Sequence, residues 1–433
     1  MSAQVLVLVF AAFSVLPAYA ADHGALQQLK SEAGVTELPG VDKPQSGPLE
    51  PRYWVVVRAA TPAQRTALAQ GGMSIEEIKS DRVSGIAHFR TIEKLQAQGF
   101  VIERQISLAE YHNSFIQAFP PQDKAYHDYA RLTADMRSLV QAQPGLVSMF
   151  SIGKTWQGRD IWALRFNTEQ AGVKPSAKPG AVFVGNHHAR EHLSVEVPLR
   201  LAQHLAKNRN EASIRRLLDQ RDIYIIPMLN PDGAEYDIAT GEYRWHRKNM
   251  RVNPDGELGV DLNRNYDFIF GGPGASGDTY SETYHGPSAF SEPETQAFKA
   301  FLEARPNVKV MNSFHSYSEL ILYPWGGKDE QISDARDRKA FQVLAQAMAK
   351  LTGYRAMQSS GLYVATGDCT DWAYAALGIF AFTTELYPSG GGGGGFYPGA
   401  KVIEKVAKGN ISAAIYLLEH ADDPRAAAWE RSL

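Results

Sequence analysis

A chain of 433 residues with 44% hydrophobic and 21% charged residues has enough apolar material for a sizeable core in two or three domains, which excludes a disordered protein. Its 44 basic residues against 47 acidic ones leave a net charge of -3, removing the electrostatic case for a nucleic-acid or anionic-membrane partner. Cys369 is the only cysteine, so no intrachain disulfide can form and the fold must rest on packing.

Residues 1–20 carry the apolar run Val5 to Leu16 and then the small-residue pattern Ala18-Tyr19-Ala20. This reads as a secretory leader cleaved before Ala21, and the run is too short to span a bilayer. The expected location is therefore extracellular or periplasmic, with no membrane span once the leader is gone. Residues 21–52 read as a linker or extended arm, since the stretch 36–52 holds four prolines and two glycines with little periodicity.

A small unit follows over 53–118. R-Y-W-V-V-V-R-A predicts a strand, and T-P-A-Q-R-T-A-L-A-Q a helix opened by Thr61 and Pro62. S-G-I-A-H-F-R predicts a second strand, T-I-E-K-L-Q-A-Q-G-F a helix closed by Gly99, and V-I-E-R-Q-I-S a third strand. That order suggests a small open-faced α/β sandwich. Phe119-Pro120-Pro121 marks the next break, because proline continues neither a helix nor a central strand.

From 119 to 420, apolar runs such as A-V-F-V, D-I-Y-I-I-P-M-L, V-K-V-M-N-S-F and G-I-F-A-F-T-T-E-L alternate with helical stretches, and residues 421–433 form a tail. Continuous apolar strands separated by helices predict an α/β fold with a mixed, mainly parallel twisted sheet covered on both faces. Polar groups stand at the carboxyl ends of those runs: His188, the Asn230-Pro231-Asp232-Gly233 turn, His315 and Glu385. Ligands of open α/β sheets bind outside those ends, so residues far apart in sequence can converge on one crevice.

The segment N-H-H-A-R-E-H-L at 186–193 follows A-V-F-V and suits zinc, which takes imidazole and carboxylate ligands. It permits two readings. His188-Ala-Arg-Glu191-His192 matches H-x-x-E-H, with both histidines on one helical face and the glutamate as base. Alternatively His188 and Glu191 are ligands and the third comes from far along the chain. Helical periodicity begins only near Ser194, which favours the second.

Further motifs follow in order: Arg244-Trp-His-Arg247-Lys248, D-L-N-R-N at 261–265, S-E-T-Y-H-G at 281–286, H-S-Y-S at 315–318 and L-Y-P-W-G at 322–326. Tyr363, D-W-A-Y at 371–374 and F-T-T-E-L at 382–386 complete the series. With H-A-R-E at 188–191, the set resembles the zinc metallocarboxypeptidases of the carboxypeptidase A and B type over about residues 119–420.

The resemblance implies one Zn2+ held by His188, Glu191 and His315, with Asp261 accepting the free N–H of His188. It implies Glu385 as the base that activates water and Arg247 as the group polarising the scissile carbonyl. Asn263 and Arg264 would bind the substrate's terminal carboxylate, a planar anion suited to a guanidinium. Tyr363 would close over the bound chain, Arg190 and Arg244 would line outer subsites, and Tyr317 would also contact substrate.

The pocket for the terminal side chain is expected from Leu322, Gly326, Asp368, Thr370 and Thr383. Thr370 stands where strongly basic-specific members place aspartate, so the expected preference is apolar and aromatic, with basic residues tolerated through Asp368. Substrates would be peptide or protein C-termini. The small unit matches an activation domain in position, implying a zymogen cut by an activating protease between about Arg104 and Lys124. Cys369 reads as an inert buried thiol, and Gly390–Gly395 as a loop beside the site. A scaffold trimming a peptidoglycan stem peptide or an amide is the rival enzyme reading, against which Asn263, Arg264 and Arg247 argue for an α-carboxylate. A decayed binding module is disfavoured because Glu385 and Arg247 are both present.

Overall fold

The computed structural model describes residues 51–108, 123–169, 171–239 and 243–429. The expected leader, most of the extended arm, the Phe119-Pro120-Pro121 break and residues 430–433 of the tail lie outside the described residues.

The first sheet has four antiparallel strands in the order β2-β3-β1-β4. In chain order its elements are β1 (Arg52–Arg58), α1 (Pro62–Gly71), β2 (Ser74–Ile78), β3 (Arg82–His88), α2 (Phe89–Ala97) and β4 (Ile102–Ser107). Helix α1 starts on a capping box: the Thr61 hydroxyl accepts from Gln64 N at 3.2 Å, and Gln64 Oε1 accepts from Thr61 N at 3.1 Å. Side chains alternate along β1. Val55 and Val57 pack with Leu68, Ile92 and Leu95 beneath the helices, whereas Trp54 points to the opposite face. Strand β2 was not expected from the sequence, because S-I-E-E-I is short and half-polar.

The second sheet has eight strands in the order β11-β10-β12-β9-β7-β8-β6-β5. Its elements begin with α3 (Tyr129–Ala142), β5 (Val147–Lys154), β6 (Asp160–Phe166), β7 (Gly180–Gly185), α4 (Leu193–Lys207), α5 (Ala212–Gln220), β8 (Asp222–Ile226) and α6 (Pro231–Ile238). After a long irregular stretch come α7 (Pro293–Glu303), β9 (Val308–Ser316), β10 (Leu320–Tyr323), α8 (Ala335–Thr352), β11 (Arg355–Gln358), α9 (Cys369–Leu377), β12 (Phe380–Leu386) and α10 (Ile403–Glu419). The central strands β12, β9, β7 and β8 are parallel, with antiparallel pairs toward both edges, so the mixed, mainly parallel sheet read from the sequence is the one observed.

Both faces are covered. Phe183 and Phe314 pack with α4, α8 and α10 on one side, while Val182 and Met311 pack with α7 and α9 on the other. Ala181, Val182, Phe183 and Val184 of β7 are all fully buried, each larger side chain contributing about 1.5–3 kcal/mol of transfer free energy. Among the described residues no helix is long and apolar enough to cross a membrane.

The two layers meet through an aromatic cluster. Trp54, Ile86 and Leu108 of the first pack on Tyr243, Trp245, Tyr317, Phe396 and Tyr397 of the second. The apolar side of the four-stranded sheet is therefore buried against the larger layer.

Candidate metal centre and crevice

Parallel register brings the polar strand ends together. Glu385 of β12 lies beside His315 of β9, and Gly185 of β7 pairs with Phe314. A Cβ on Gly185 would stand 2.0 Å from Ser194 O, so only glycine lets the strand end approach α4 this closely. The next residue, Asn186, adopts φ 60, a left-handed conformation that asparagine tolerates. Its amide donates to His188 O at 3.0 Å and Ala189 O at 3.2 Å, which curls the chain and turns His188 and Glu191 the same way. Regular helix begins at Leu193, with His192 as N-cap, so residues 188–192 do not form the helix that the H-x-x-E-H reading needs.

Donor atoms of His188, Glu191 and His315 all lie within 4.8 Å of one another, and all three residues are buried. His188 Nδ1 is 2.7 Å from Glu191 Oε1, His315 Nδ1 is 3.0 Å from Glu191 Oε2, and the two Nδ1 atoms are 3.1 Å apart. Two imidazole nitrogens and a carboxylate facing one point form a donor set that zinc fits, since their lone pairs otherwise oppose each other. On the far side, His188 Nε2 meets Asp261 Oδ1 at 3.1 Å. Burial works against ionising Glu191, yet His188 and His315 hold its carboxyl well below the usual range.

Asp261 links two parts of the site, since its Oδ2 accepts from Arg247 Nε at 3.0 Å while Oδ1 faces His188. Burial opposes its ionisation, but Arg247 and His188 keep it far below the ordinary carboxyl value. Glu385 behaves oppositely. Burial pushes its pKa up to about 7, with Glu191 and Glu76 adding repulsion and His315 pulling the other way.

His188, Glu191, Arg247, His315 and Glu385 line a crevice of about 430 Å³ that also takes in Asn263, Arg264, Tyr317, Tyr363, Leu322, Gly326, Asp368 and Thr383, with Asp261 behind it. Leu320 and Ala365 line it too and were not expected; Leu320 pairs in register with Glu385. Asp368 serves as N-cap of α9, accepting from Thr370 N, Thr370 Oγ1 and Asp371 N, while its other oxygen accepts from Asn263 Nδ2 at 3.0 Å. Thr370 is turned into this cap and is not among the lining residues, contrary to its expected place in the pocket.

Arg190 and Arg244 also stand away from the crevice wall. Arg244 lies over the Tyr236 ring at 4.3 Å, and its carbonyl accepts from Arg52. Arg190 is fully buried: it donates to Ser74 Oγ at 3.0 Å, Glu76 Oε1 at 2.5 Å and Glu282 Oε2 at 3.1 Å, beneath Phe396. Ile75, Glu76, Glu77 and Ile78 of strand β2 line the same crevice as His188, Glu191, His315 and Glu385. Glu76 had no signal in the sequence beyond its charge.

His192 pairs with Asp237 at 2.8 Å, and His187 meets Tyr266 OH at 3.0 Å while stacking on His315. Cys369 is buried, and burial, with the nearby Asp368, pushes its thiol well above the ordinary value. Within Gly390–Gly395 a short 3-10 turn spans Gly391–Gly393, and a Cβ on Gly390 would stand 2.5 Å from Glu77 Oε1 and one on Gly395 3.4 Å from Tyr317 Cε1.

The family model described as "Zinc carboxypeptidase" matches residues 132–413. A zinc carboxypeptidase of Saccharothrix mutabilis subsp. capreolus is 33% identical over 406 residues, covering 88% of this chain and 92% of its own. Carboxypeptidase A1 of Homo sapiens is 30% identical over 423 residues, covering 95% and 94%. The crystal structure of carboxypeptidase A from Helicoverpa armigera superposes with a TM-score of 0.69 at 21% identity, over 88% of this chain and 100% of that one, which shows the shared fold.

Proposed function

Since the chain belongs to the zinc carboxypeptidase family and is a zinc-dependent hydrolase of C-terminal peptide bonds, we propose that its chemistry is carried by the crevice built on His188, Glu191, His315 and Glu385. The single observation that carries this reading is the convergence of three buried donors beside Glu385, a carboxyl whose pKa burial raises to about 7.

His188, Glu191 and His315 would hold the ion, with Asp261 orienting His188. A bound Zn2+ supplies Lewis acidity for the attack of water on the scissile carbonyl. Glu385 takes a proton from the attacking water and returns it to the departing amine. Arg247, fixed by Asp261, presents its remaining N–H groups to the carbonyl oxygen as negative charge develops there. Asn263 and Arg264 receive the terminal carboxylate, and Tyr363 covers it.

The terminal side chain enters among Leu320, Leu322, Gly326, Ala365 and Thr383, a lining that supports a preference for apolar and aromatic residues. The donors to Asp368 are all neutral, so its charge remains available to a basic side chain as a second preference. The four-stranded layer acts as an activation domain. Its strand β2 covers the crevice and its Glu76 occupies Arg190, so a protease must sever the connection for full activity. The protein is exported through its leader and acts outside the cytoplasm.

Hydrolysis of blocked dipeptides ending in Phe, Leu, Lys, Arg and Glu, before and after limited proteolysis and with or without a chelator, tests all of this. Phe and Leu should lead, with Lys and Arg behind them, and the chelator should abolish turnover. Turnover that survives metal removal would overturn the catalytic reading; a lead for Glu would overturn the pocket; equal rates for cut and uncut chain would overturn the zymogen.

A further inference from the structure

The Asn230-Pro231-Asp232-Gly233 turn plays no part in the chemistry above, yet it sits between the two loops that do. We propose that Asn230 is a positioning residue that sets the distance between the metal-holding loop and Arg247. The inference rests on the reading of the crevice given above.

Asn230 follows β8 and is fully buried. Its Oδ1 accepts from Gly233 N at 3.1 Å, capping α6. Its Nδ2 donates both protons outward, to His187 O at 3.2 Å and to Lys248 O at 3.1 Å. One primary amide thus grips the carbonyl before His188 and the carbonyl after Arg247. The backbone completes the bridge: Asn230 N donates to Asn186 O at 3.1 Å, and Ala189 N donates to Arg247 O at 3.0 Å.

The rest of the turn serves the same junction. A Cβ on Gly233 would stand 2.6 Å from Lys248 O and 2.8 Å from the Ala189 Cβ, so both loops press on the start of α6. Pro231 supplies the first helical residue without needing a hydrogen-bond acceptor. Asp232 is anchored from outside by Gln157 N and Arg159 Nη1, each at 2.6 Å. Asparagine supplies one acceptor for the cap and two donors for the two carbonyls on a side chain short enough to cap its own helix.

The consequence is specific. Arg247 stabilises charge that develops in the transition state, so its displacement should lower kcat while leaving substrate affinity and zinc largely intact. Asn230→Asp keeps the cap, since aspartate is an equally good N-cap, but removes both donors. Gly233→Ala pushes the same loops apart by a different route: its Cβ would crowd Lys248 O, the Ala189 Cβ and, at 2.8 Å, Asn230 Oδ1, while both Nδ2 donors stay in place.

The test uses the full chain, zinc-loaded and cut by limited proteolysis, with zinc content, thermal midpoint, kcat and KM measured on one blocked dipeptide. The expected result is about one zinc per chain, KM within about threefold, and kcat per zinc-loaded chain down on the order of 100-fold in both variants. Wild-type kcat per zinc-loaded chain in either variant overturns the proposal, as does loss of zinc or of the fold in both. Glu385→Gln run alongside separates two failures: if it stays active, the reading of the crevice falls and this inference with it. If it is inactive beside a fully active Asn230→Asp, only the inference falls.

Discussion

Replacing His192 and His315 separately by alanine tests which histidines hold the metal. His192 is buried, donates through Nε2 to Asp237 Oδ2 at 2.8 Å, and packs among Tyr126, Tyr243 and Tyr397. Asp237 keeps His246 N at 2.8 Å and Tyr397 OH at 3.0 Å, so it is not orphaned when the ring goes. The lost charge-assisted hydrogen bond costs about 1.5–3 kcal/mol. At roughly 2–4 °C per kcal/mol for a domain of this size, His192→Ala should melt about 3–12 °C lower. It should still bind one zinc. His315→Ala instead removes one of three donors, leaving fewer protein ligands than a catalytic zinc site uses, and zinc should be lost on dialysis. Zinc stoichiometry by atomic emission, read beside thermal melts with and without added zinc, decides it. If His192→Ala loses zinc while His315→Ala keeps it, the distant-ligand arrangement is wrong.

Glu76→Ala should loosen the activation layer: breaking a buried pair costs about 3–5 kcal/mol, which Glu282 reduces by retaining Arg190, so the uncut chain should gain turnover. An uncut variant no more active than wild type refutes that. In the metal-free chain the Glu385 carboxyl should titrate near its pKa of about 7, raised by burial, and zinc beside it should move that value down. Because a base must be ionised, the acid limb of kcat/KM should then lie at or below pH 7; infrared difference spectra against Glu385→Gln locate the titration, and a value near 4.5 without zinc would contradict the burial argument. Glu294 is buried beside Glu292, and burial raises it to about 7 from an ordinary 4.5. The folded chain therefore holds a proton that the unfolded one has released, so stability falls by about 3 kcal/mol as pH rises from 4.5 through 7. Glu294→Gln should flatten that decline in denaturant titrations; an unchanged slope would refute it.

Much of the site was legible because its residues sit where two local rules meet. A-V-F-V, V-K-V-M-N-S-F and G-I-F-A-F-T-T-E-L read as buried strands from composition alone, and His188, His315 and Glu385 stand at their carboxyl ends. Strand β2 was not legible, because S-I-E-E-I carries too little apolar pattern to be told from a loop; it is a strand because β3 offers it an edge. Thr370 was misplaced for a related reason. Its position in the motif says nothing about which way the first turn of α9 points its hydroxyl, and the Asp368 cap turned it inward.

The residue types and their order by themselves determined a zinc-type donor set, a covered parallel sheet and a family, since these depend on chemistry and periodicity carried along the chain. The order of the motifs already pointed to His315 rather than His192, but only the tertiary structure brings the donors together, through strand register and across 124 residues between Glu191 and His315. It alone also showed Arg190 turned to Glu76 and Asn230 bridging two loops. The first is made by packing one layer on another and the second by loops meeting within the larger layer, and no local pattern encodes either.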